Sequence, residues 1–196
     1  MQPARQAFTR ESADARRGDL IDATAACLAE VGMTGTSVRA ICARAGVSPG
    51  LLRHYFAGID DLVAATYEAT SDRMDAIFAE AVAGAGTDPH AQLLAYLTAS
   101  FRPPVTDPEL LGAWTAFWAL ARSNARMANI HADSYAGYRA RLGELLTACG
   151  AADAERLAIM LTAMVDGLWL ELSLDAESFG AEAAVAMVER AVAALV

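Results

Sequence analysis

The sequence contains no lysine, and its charges are unevenly placed. All fifteen basic residues among the 196 are arginine, against 24 acidic residues, so the net charge is −9. Residues 1–62, called the head below, hold seven arginines and seven acids, and the rest of the chain holds eight arginines and seventeen acids. A neutral head and an acidic body indicate two parts. Because phosphate attraction depends on local arrangement, the acidity of the whole chain leaves nucleic-acid binding open.

Cysteine is scarce, and long uncharged apolar runs are missing. The three cysteines are Cys27, Cys42 and Cys149. They are far apart and form no CxxC pair, so we expect reduced thiols in a cytosol and no disulfide or metal site. The N-terminal segment lacks the apolar region of a signal peptide. The longest apolar stretch, Leu157–Leu174, contains Asp166 and Glu171, which favours a buried helix over a membrane span. We therefore expect a cytoplasmic protein.

Motifs of catalysis and cofactor binding are also missing. The three histidines, His54, His90 and His131, occur without HExxH, and the chain has no phosphate-binding glycine loop. We therefore expect neither an enzyme nor a cofactor. A helical small-molecule carrier, an all-α enzyme and a protein-interaction adaptor remain alternatives to the function developed below.

Strand signals are almost absent, and nearly every segment has helical periodicity. The pattern predicts an all-α protein of about nine helices, with glycines and Ser or Asp caps as the boundaries. In the first helix, about 14–31, the residues predicted to face the core are Leu20, Ile21, Thr24, Cys27, Leu28 and Val31. Later helices are predicted at about 59–83, after Asp88 and Asp107, and at about 126–149, 153–175 and 179–195. The predicted organisation is a flexible arm (1–15), a DNA-binding domain (16–58) and a ligand-binding and dimerisation domain (59–196).

Residues 36–56 have the pattern of a helix-turn-helix. Ser37 is predicted to cap a short helix, and Gly46 supplies the positive φ that a tight turn needs. Ser48 is predicted to cap a second short helix with Pro49 at its first position, where a missing N–H costs nothing. The spacing therefore predicts two short helices joined by a tight turn.

In such a unit the leading end of the second helix enters the major groove of DNA. Gly50 permits close backbone approach, and the guanidinium of Arg53 suits the O6 and N7 atoms of guanine. Arg5, Arg10, Arg16 and Arg17 add positive charge on the arm and first helix. The predicted DNA-binding residues are Ser37, Arg39, Ser48, Pro49, Gly50, Arg53, His54 and Tyr55.

The pattern Gly46-Val47-Ser48-x-Gly50-x-x-x-x-Tyr55-Phe56, preceded by Arg39-x-Ile41-x-x-x-Ala45, resembles the DNA-binding domain of TetR-type repressors over about residues 16–66. Two later segments, 113–119 (AWTAFWA) and 165–170 (VDGLWL), are similar to the ligand domain of BetI-type repressors, which control choline-to-glycine-betaine genes. The resemblance implies DNA-facing roles for the eight residues named above.

The chain departs from the family pattern at two positions. Ile59, followed by Asp60-Asp61, stands where a lysine is common at the start of the fourth helix, which implies one phosphate contact fewer. Arg53 replaces the usual aromatic residue. We therefore expect weaker DNA binding than the family pattern implies.

The body carries an aromatic stripe, since Trp114, Phe117 and Trp118 lie at i, i+3 and i+4 on one helical face. Such a stripe is common in a plain core, but ring faces also attract quaternary ammonium groups. Asp166 or Glu171 would supply the counter-charge; alternatively, Asp166 bonds a neighbouring helix and Glu171 is solvated. The predicted ligand-binding residues are Trp114, Phe117, Trp118, Asp166 and Trp169.

The last two predicted helices, about 153–175 and 179–195, are apolar over more than one face. The family resemblance implies that they form a homodimer through a four-helix bundle, and burial within one chain is the alternative. The predicted function is therefore a dimeric repressor that binds a palindromic DNA operator and is released by a small-molecule inducer, with a cationic, choline-like ligand as one possibility.

Overall fold

The structure, a computed structural model, describes the backbone of residues 4–175 and 177–196 and, from Ala13 onward, their side chains. In these residues every regular element is helical, so the all-α prediction is confirmed. The elements are α1 (Ala4–Gly35), α2 (Val38–Ala45), α3 (Pro49–Tyr55), α4 (Ile59–Gly84), α5 (Pro89–Thr98), a 3-10 turn (Ala99–Phe101), α6 (Pro108–Ala121), α7 (Ala125–Ala148), α8 (Ala154–Leu174) and α9 (Ala181–Leu195).

The predicted helix starts are confirmed at three capping side chains. Ser37, Ser48 and Asp88 each accept a hydrogen bond at 3.2 Å from the backbone N–H three residues further on. Gly46 ends α2 in the left-handed conformation, with φ 65° and ψ 32°. These contacts span four residues or fewer, which is why the sequence alone identifies them.

The chain divides into two compact units. The first contains residues up to Thr70 together with Gly112–Ile130, and the second contains Ser71–Leu111 and His131–Val196. Because α4, α6 and α7 each run through both units, the predicted domain boundary after residue 58 stays a prediction. Of the predicted flexible arm, residues 4–15 instead belong to the helix α1, residues 1–3 lie outside the described residues, and so do the side chains of Arg5 and Arg10.

The first unit has an apolar core made by α1 to α4. Its buried residues are Leu20, Ile21, Ala23, Cys27, Ile41, Cys42, Leu52, Phe56, Leu62 and Ala65. The prediction for Val31 is wrong, because this side chain is 54% exposed. Its neighbour Gly32 leaves the helical conformation, with φ 60° and ψ −174°, so the core-facing periodicity of α1 ends before Val31.

The second unit contains an aromatic group in its interior. Phe78 contacts Tyr96 and Tyr138, and the rings of Tyr96 and Tyr138 stack with centroids 4.9 Å apart. The Tyr96 hydroxyl also donates to the Tyr138 carbonyl oxygen at 3.1 Å. These contacts join α4, α5 and α7.

Helix α8 is long and apolar enough to cross a membrane by length and composition. A core helix passes the same test, so this finding is weak support for a membrane span. One face of α8 is buried in the protein, through Ala158, Leu161, Thr162, Val165, Trp169 and Leu172.

Candidate nucleic-acid interface and ligand-binding residues

Helices α2 and α3 are joined by a turn with a complete set of local hydrogen bonds. The Val47 N–H donates to the Cys42 carbonyl at 3.0 Å, next to the left-handed Gly46. The Ser48 side chain caps α3, and Leu52 anchors the helix in the core with no exposed surface. A short helix held in this way presents its opposite face in a fixed orientation.

Seven of the eight predicted DNA-binding residues are exposed, and only Tyr55 is half-buried. The Tyr55 ring packs on the core of the first unit and meets the His54 ring edge-on, with centroids 5.1 Å apart. A Cβ added at Gly50 would meet nothing closer than the Ser48 Oγ at 3.7 Å. Packing within the chain therefore gives no reason for glycine at this position.

Among the arginines of α1, α2 and α3, some form ion pairs with acidic side chains and others do not. Arg16 pairs with Asp19 at 3.0 Å, and Arg44 pairs with Glu30. By contrast, Arg39 and Arg53 are exposed, and neither has an ion pair or hydrogen bond within the part of the chain that the structure describes. Positive charge without an intramolecular ion pair is therefore present on α2 and α3, and the exposed Arg17 of α1, whose guanidinium lies 5.2 Å from the Phe56 ring centroid, adds to it.

The turn between α3 and α4 is held by two residues that the sequence patterns did not single out for a role. The Asp61 carboxylate accepts hydrogen bonds from the Ala57 N–H at 3.1 Å and from Arg126 of α7 at 2.9 Å. These two bonds hold the pKa of Asp61 below its ordinary value, the Ala57 bond contributing most. The bond to Ala57 has the short spacing of a cap, whereas nothing in the sequence points from Asp61 to a residue 65 positions away.

Of the predicted ligand-binding residues, Trp114, Phe117 and Trp118 belong to the first unit. Phe117 stacks on Tyr67 of α4, with ring centroids 4.3 Å apart and planes within 5°, and Trp114 meets Tyr67 edge-on at 5.5 Å. Trp114 and Phe117 are buried, and Trp118 is half-buried. Packing within the unit accounts for the first two rings, and their role in ligand binding stays a prediction.

Asp166 and Trp169 belong to the second unit, where Trp169 is buried and Asp166 half-buried. Burial raises the pKa of Asp166 to about 6, against a hydrogen bond from the Tyr135 hydroxyl at 3.1 Å that lowers it. The neighbouring-helix bond considered for Asp166 is therefore present, because Tyr135 lies on α7. Glu171 is exposed.

Further polar groups surround Asp166. The rings of Tyr135 and His131 are in contact, with centroids 4.2 Å apart. The Arg139 guanidinium lies over the Tyr135 ring, 5.5 Å from its centroid. Burial lowers the pKa of His131, and Arg139 lowers it further. The Tyr138 hydroxyl is buried. Its pKa is raised by burial and by nearby Tyr96 and Asp166. Sequence reasoning missed these residues, since helical spacing does not reveal which α7 residues meet α8.

No group of three or more His, Cys, Asp or Glu side chains that could hold a metal ion occurs within the described ranges. Burial raises the pKa of the Cys27 and Cys42 thiols, so both stay protonated near neutral pH and are poor metal ligands.

A capped helix-turn-helix on a small helical core, followed by a larger set of helices, defines a class of protein, the helix-turn-helix transcriptional regulators. Residues 20–66 match the family model described as bacterial regulatory proteins of the TetR family, and residues 89–196 match the BetI-type transcriptional repressor C-terminal model. The chain therefore belongs to the TetR family and has a BetI-type C-terminal region, so the resemblance is confirmed.

Individual relatives agree with this assignment. The HTH-type transcriptional regulator BetI of Paraburkholderia xenovorans (strain LB400) is 32% identical, over 87% of this chain and 88% of the relative. A crystal structure of a transcriptional regulator from Pseudomonas aeruginosa PAO1 has a TM-score of 0.83 and 40% identity, covering 93% of this chain and 90% of that chain. A regulator from Saccharomonospora viridis, solved in complex with choline, has a TM-score of 0.78 at 16% identity, covering 90% and 95%, and shares the fold.

Proposed function

We propose that this transcriptional regulator is a dimeric repressor that binds a palindromic operator through α3 and leaves it when a small molecule binds. The observation that carries the DNA-binding part is the availability of Arg39 and Arg53, which are exposed while Arg16 and Arg44 are neutralised. In this proposal Arg53 reads a guanine, and Ser37 and Arg39 hold the backbone from the start of α2. Ser48, Pro49, Gly50, His54 and Tyr55 complete the interface.

The test is to select duplexes bound by the purified protein from the genome of origin and to measure affinity for them by mobility shift. We expect Arg53→Ala to lose about 1–3 kcal/mol, concentrated at one base pair of each half-site. A uniform loss over all sequences would make Arg53 a phosphate contact instead. A wild-type protein that prefers no duplex over random competitor would refute the whole proposal.

The dimer is proposed to form through α8 and α9. The large apolar side chains exposed there are Ile159, Met160, Leu170, Leu174, Met187 and Leu195. At the helical angle of about 100° per residue, Ile159, Leu170 and Leu174 share one face of α8, away from its buried face. Two copies that bury these faces against each other form a four-helix bundle with two-fold symmetry. Such a dimer suits two half-sites about 34–36 Å apart, or a multiple of that.

The inducer is proposed to be a small organic cation. A half-buried carboxylate at Asp166 would supply the counter-charge, and the buried Trp169 of the same unit is the proposed aromatic contact. Ligand-binding roles for Trp114, Phe117 and Trp118 of the first unit stay a separate prediction. The choline complex of the Saccharomonospora viridis regulator supports this class of ligand.

Calorimetry with choline and with its neutral isostere 3,3-dimethylbutan-1-ol tests the charge requirement. Release also requires the ligand to prefer the state that does not bind DNA, with a coupling of about 1–3 kcal/mol. Operator affinity measured with and without choline therefore tests induction. Equal binding of both compounds would refute the cation proposal, and equal operator affinities would refute induction by choline.

A carrier or adaptor without DNA binding would bind small molecules or proteins but would select no operator, and membership of a regulator family does not favour it. A protein that acts on an operator works in the cytoplasm, which is the localisation we propose. The buried thiols of Cys27 and Cys42 suit a reducing compartment.

A further inference from the structure

The exit of α3 is fixed by a side chain from the next helix. Only three residues, Phe56 to Gly58, separate α3 from α4. Asp61 uses one carboxylate oxygen, Oδ2, to accept the Ala57 N–H at 3.1 Å. Its other oxygen, Oδ1, accepts a hydrogen bond from the Arg126 guanidinium at 2.9 Å. The backbone two residues after the end of α3 is therefore tied, through one carboxylate, to the start of α7.

Arg126 is itself held in place by local contacts. The Asn124 side chain accepts hydrogen bonds from the Arg126 N–H at 3.0 Å and from the Met127 N–H at 3.2 Å. Met127 is buried, and this anchors the first turn of α7. The guanidinium that meets Asp61 thus projects from a fixed position.

The segment that carries Arg126 also packs on the first unit at two points before α7. A Cβ at Gly112 would lie 2.9 Å from the Cα and carbonyl oxygen of Ala29, so α6 and α1 meet at backbone distance. Phe117 stacks on Tyr67 of α4 at 4.3 Å. The hydrogen bond from Arg126 to Asp61 is therefore the last of three contacts that residues 112–130 make with helices α1 and α4.

Charge gives the Asp61–Arg126 pair a second effect. Without Arg126, a carboxylate would stand unpaired next to the exit of a helix that approaches DNA phosphates. The Arg126 and Asp61 side chains are 52% and 35% exposed, so the pair lies where solvent weakens but does not remove the attraction.

We propose that Arg126 is a positioning residue for DNA binding, which orients α3 through Asp61 and does not itself contact a phosphate. The inference rests on the proposed operator binding. It distinguishes two kinds of arginine in the first unit, since Arg39 and Arg53 contact DNA and Arg126 orders the element that carries Arg53.

The experiment compares affinities for a duplex selected by the wild-type protein and for a scrambled duplex of the same length, by fluorescence anisotropy over a range of salt concentrations. The variants are Arg126→Ala, Arg126→Lys, Asp61→Asn, the double variant Arg126→Ala with Asp61→Asn, and Asp60→Asn as the control. Asp60 is exposed, lies in the same turn, and has no recorded ion pair or hydrogen bond in the described part of the chain. Thermal unfolding of each variant shows that it is folded.

We expect Arg126→Ala and Asp61→Asn each to lower the ratio of selected to scrambled affinity about two- to fivefold. The double variant should match either single variant, because both break the same link. Arg126→Lys should recover most of the ratio, and Asp60→Asn should keep it.

Direct phosphate contact by Arg126 would instead weaken both duplexes equally and reduce the salt slope by about one. That result, an unchanged ratio in Arg126→Ala, or additive losses in the double variant would each overturn the inference while the proposed function stands. If the wild-type protein selects no duplex at all, both fail together.

Discussion

Gly50→Ala separates the requirements of folding from those of DNA recognition. Gly50 is the second residue of α3, is exposed, and does not adopt a positive φ. A Cβ there meets only the Ser48 Oγ at 3.7 Å, an ordinary van der Waals contact, so the cap of α3 is unaffected. Alanine also loses less backbone entropy than glycine in a helix, which is worth about 0.5–1 kcal/mol. Because the position lies in the first turn, we expect the lower value, a rise in Tm of about 1–2 °C.

The same methyl group should weaken DNA binding, because the leading end of α3 is the part proposed to approach the duplex. We expect affinity for the selected operator to fall at least about tenfold, or about 1.4 kcal/mol, by mobility shift. Gly137→Ala is the matched control: Gly137 is exposed on α7, and a Cβ there meets nothing within 4 Å. It should raise stability similarly and leave operator affinity unchanged. A Gly50→Ala protein that binds the operator as tightly as the wild type would refute the close approach of α3.

Three further predictions concern packing, charge and assembly. Gly112→Ala should destabilise the protein by about 1–3 kcal/mol in urea unfolding, because its Cβ would lie 2.9 Å from backbone atoms of Ala29; unchanged stability would contradict this crossing. The folded-state pKa of Asp166, about 6, exceeds its ordinary value, so its contribution to stability is present at low pH and is lost as the pH rises towards and through 6. Asp166→Asn should therefore gain up to about 2 kcal/mol over the wild type as the pH rises from about 4 to about 6, with little further change above that, and should lose affinity for choline. Glu171→Gln should do neither, and a pH-independent difference would refute the assignment. Leu174→Arg changes a side chain that is 74% exposed, so we expect a folded monomer by sedimentation, and a persistent dimer would exclude this face of α8.

Several features of the DNA-binding region could be predicted from the sequence because their causes are local. Ser48 caps the N–H three residues on, and Gly46 closes α2 in a conformation that other residues adopt at a cost. Arg53 is exposed because it lies away from the face of α3 that Leu52 and Tyr55 turn towards the core. The family assignment rests on the same spacing, and the family models confirm it.

Where local spacing was the only guide, the sequence was less informative. Val31 continues the apolar periodicity of α1, yet it is exposed because the backbone changes direction at Gly32. The aromatic stripe of α6 was identified, but its spacing does not reveal that Trp114 and Phe117 meet Tyr67. Periodicity shows which side of a helix is apolar and leaves the partner of that side unspecified.

Sequence alone determined the helices, their caps, the turn that orients α3 and the family, since each depends on backbone preferences within a few residues or on a short spaced pattern. Tertiary structure decided which distant side chains meet, as in the pairing of Asp61 with Arg126 and of Asp166 with Tyr135, 65 and 31 positions apart. The physical reason is that ion pairs and raised pKa values depend on distance and burial in space, which are set when helices pack.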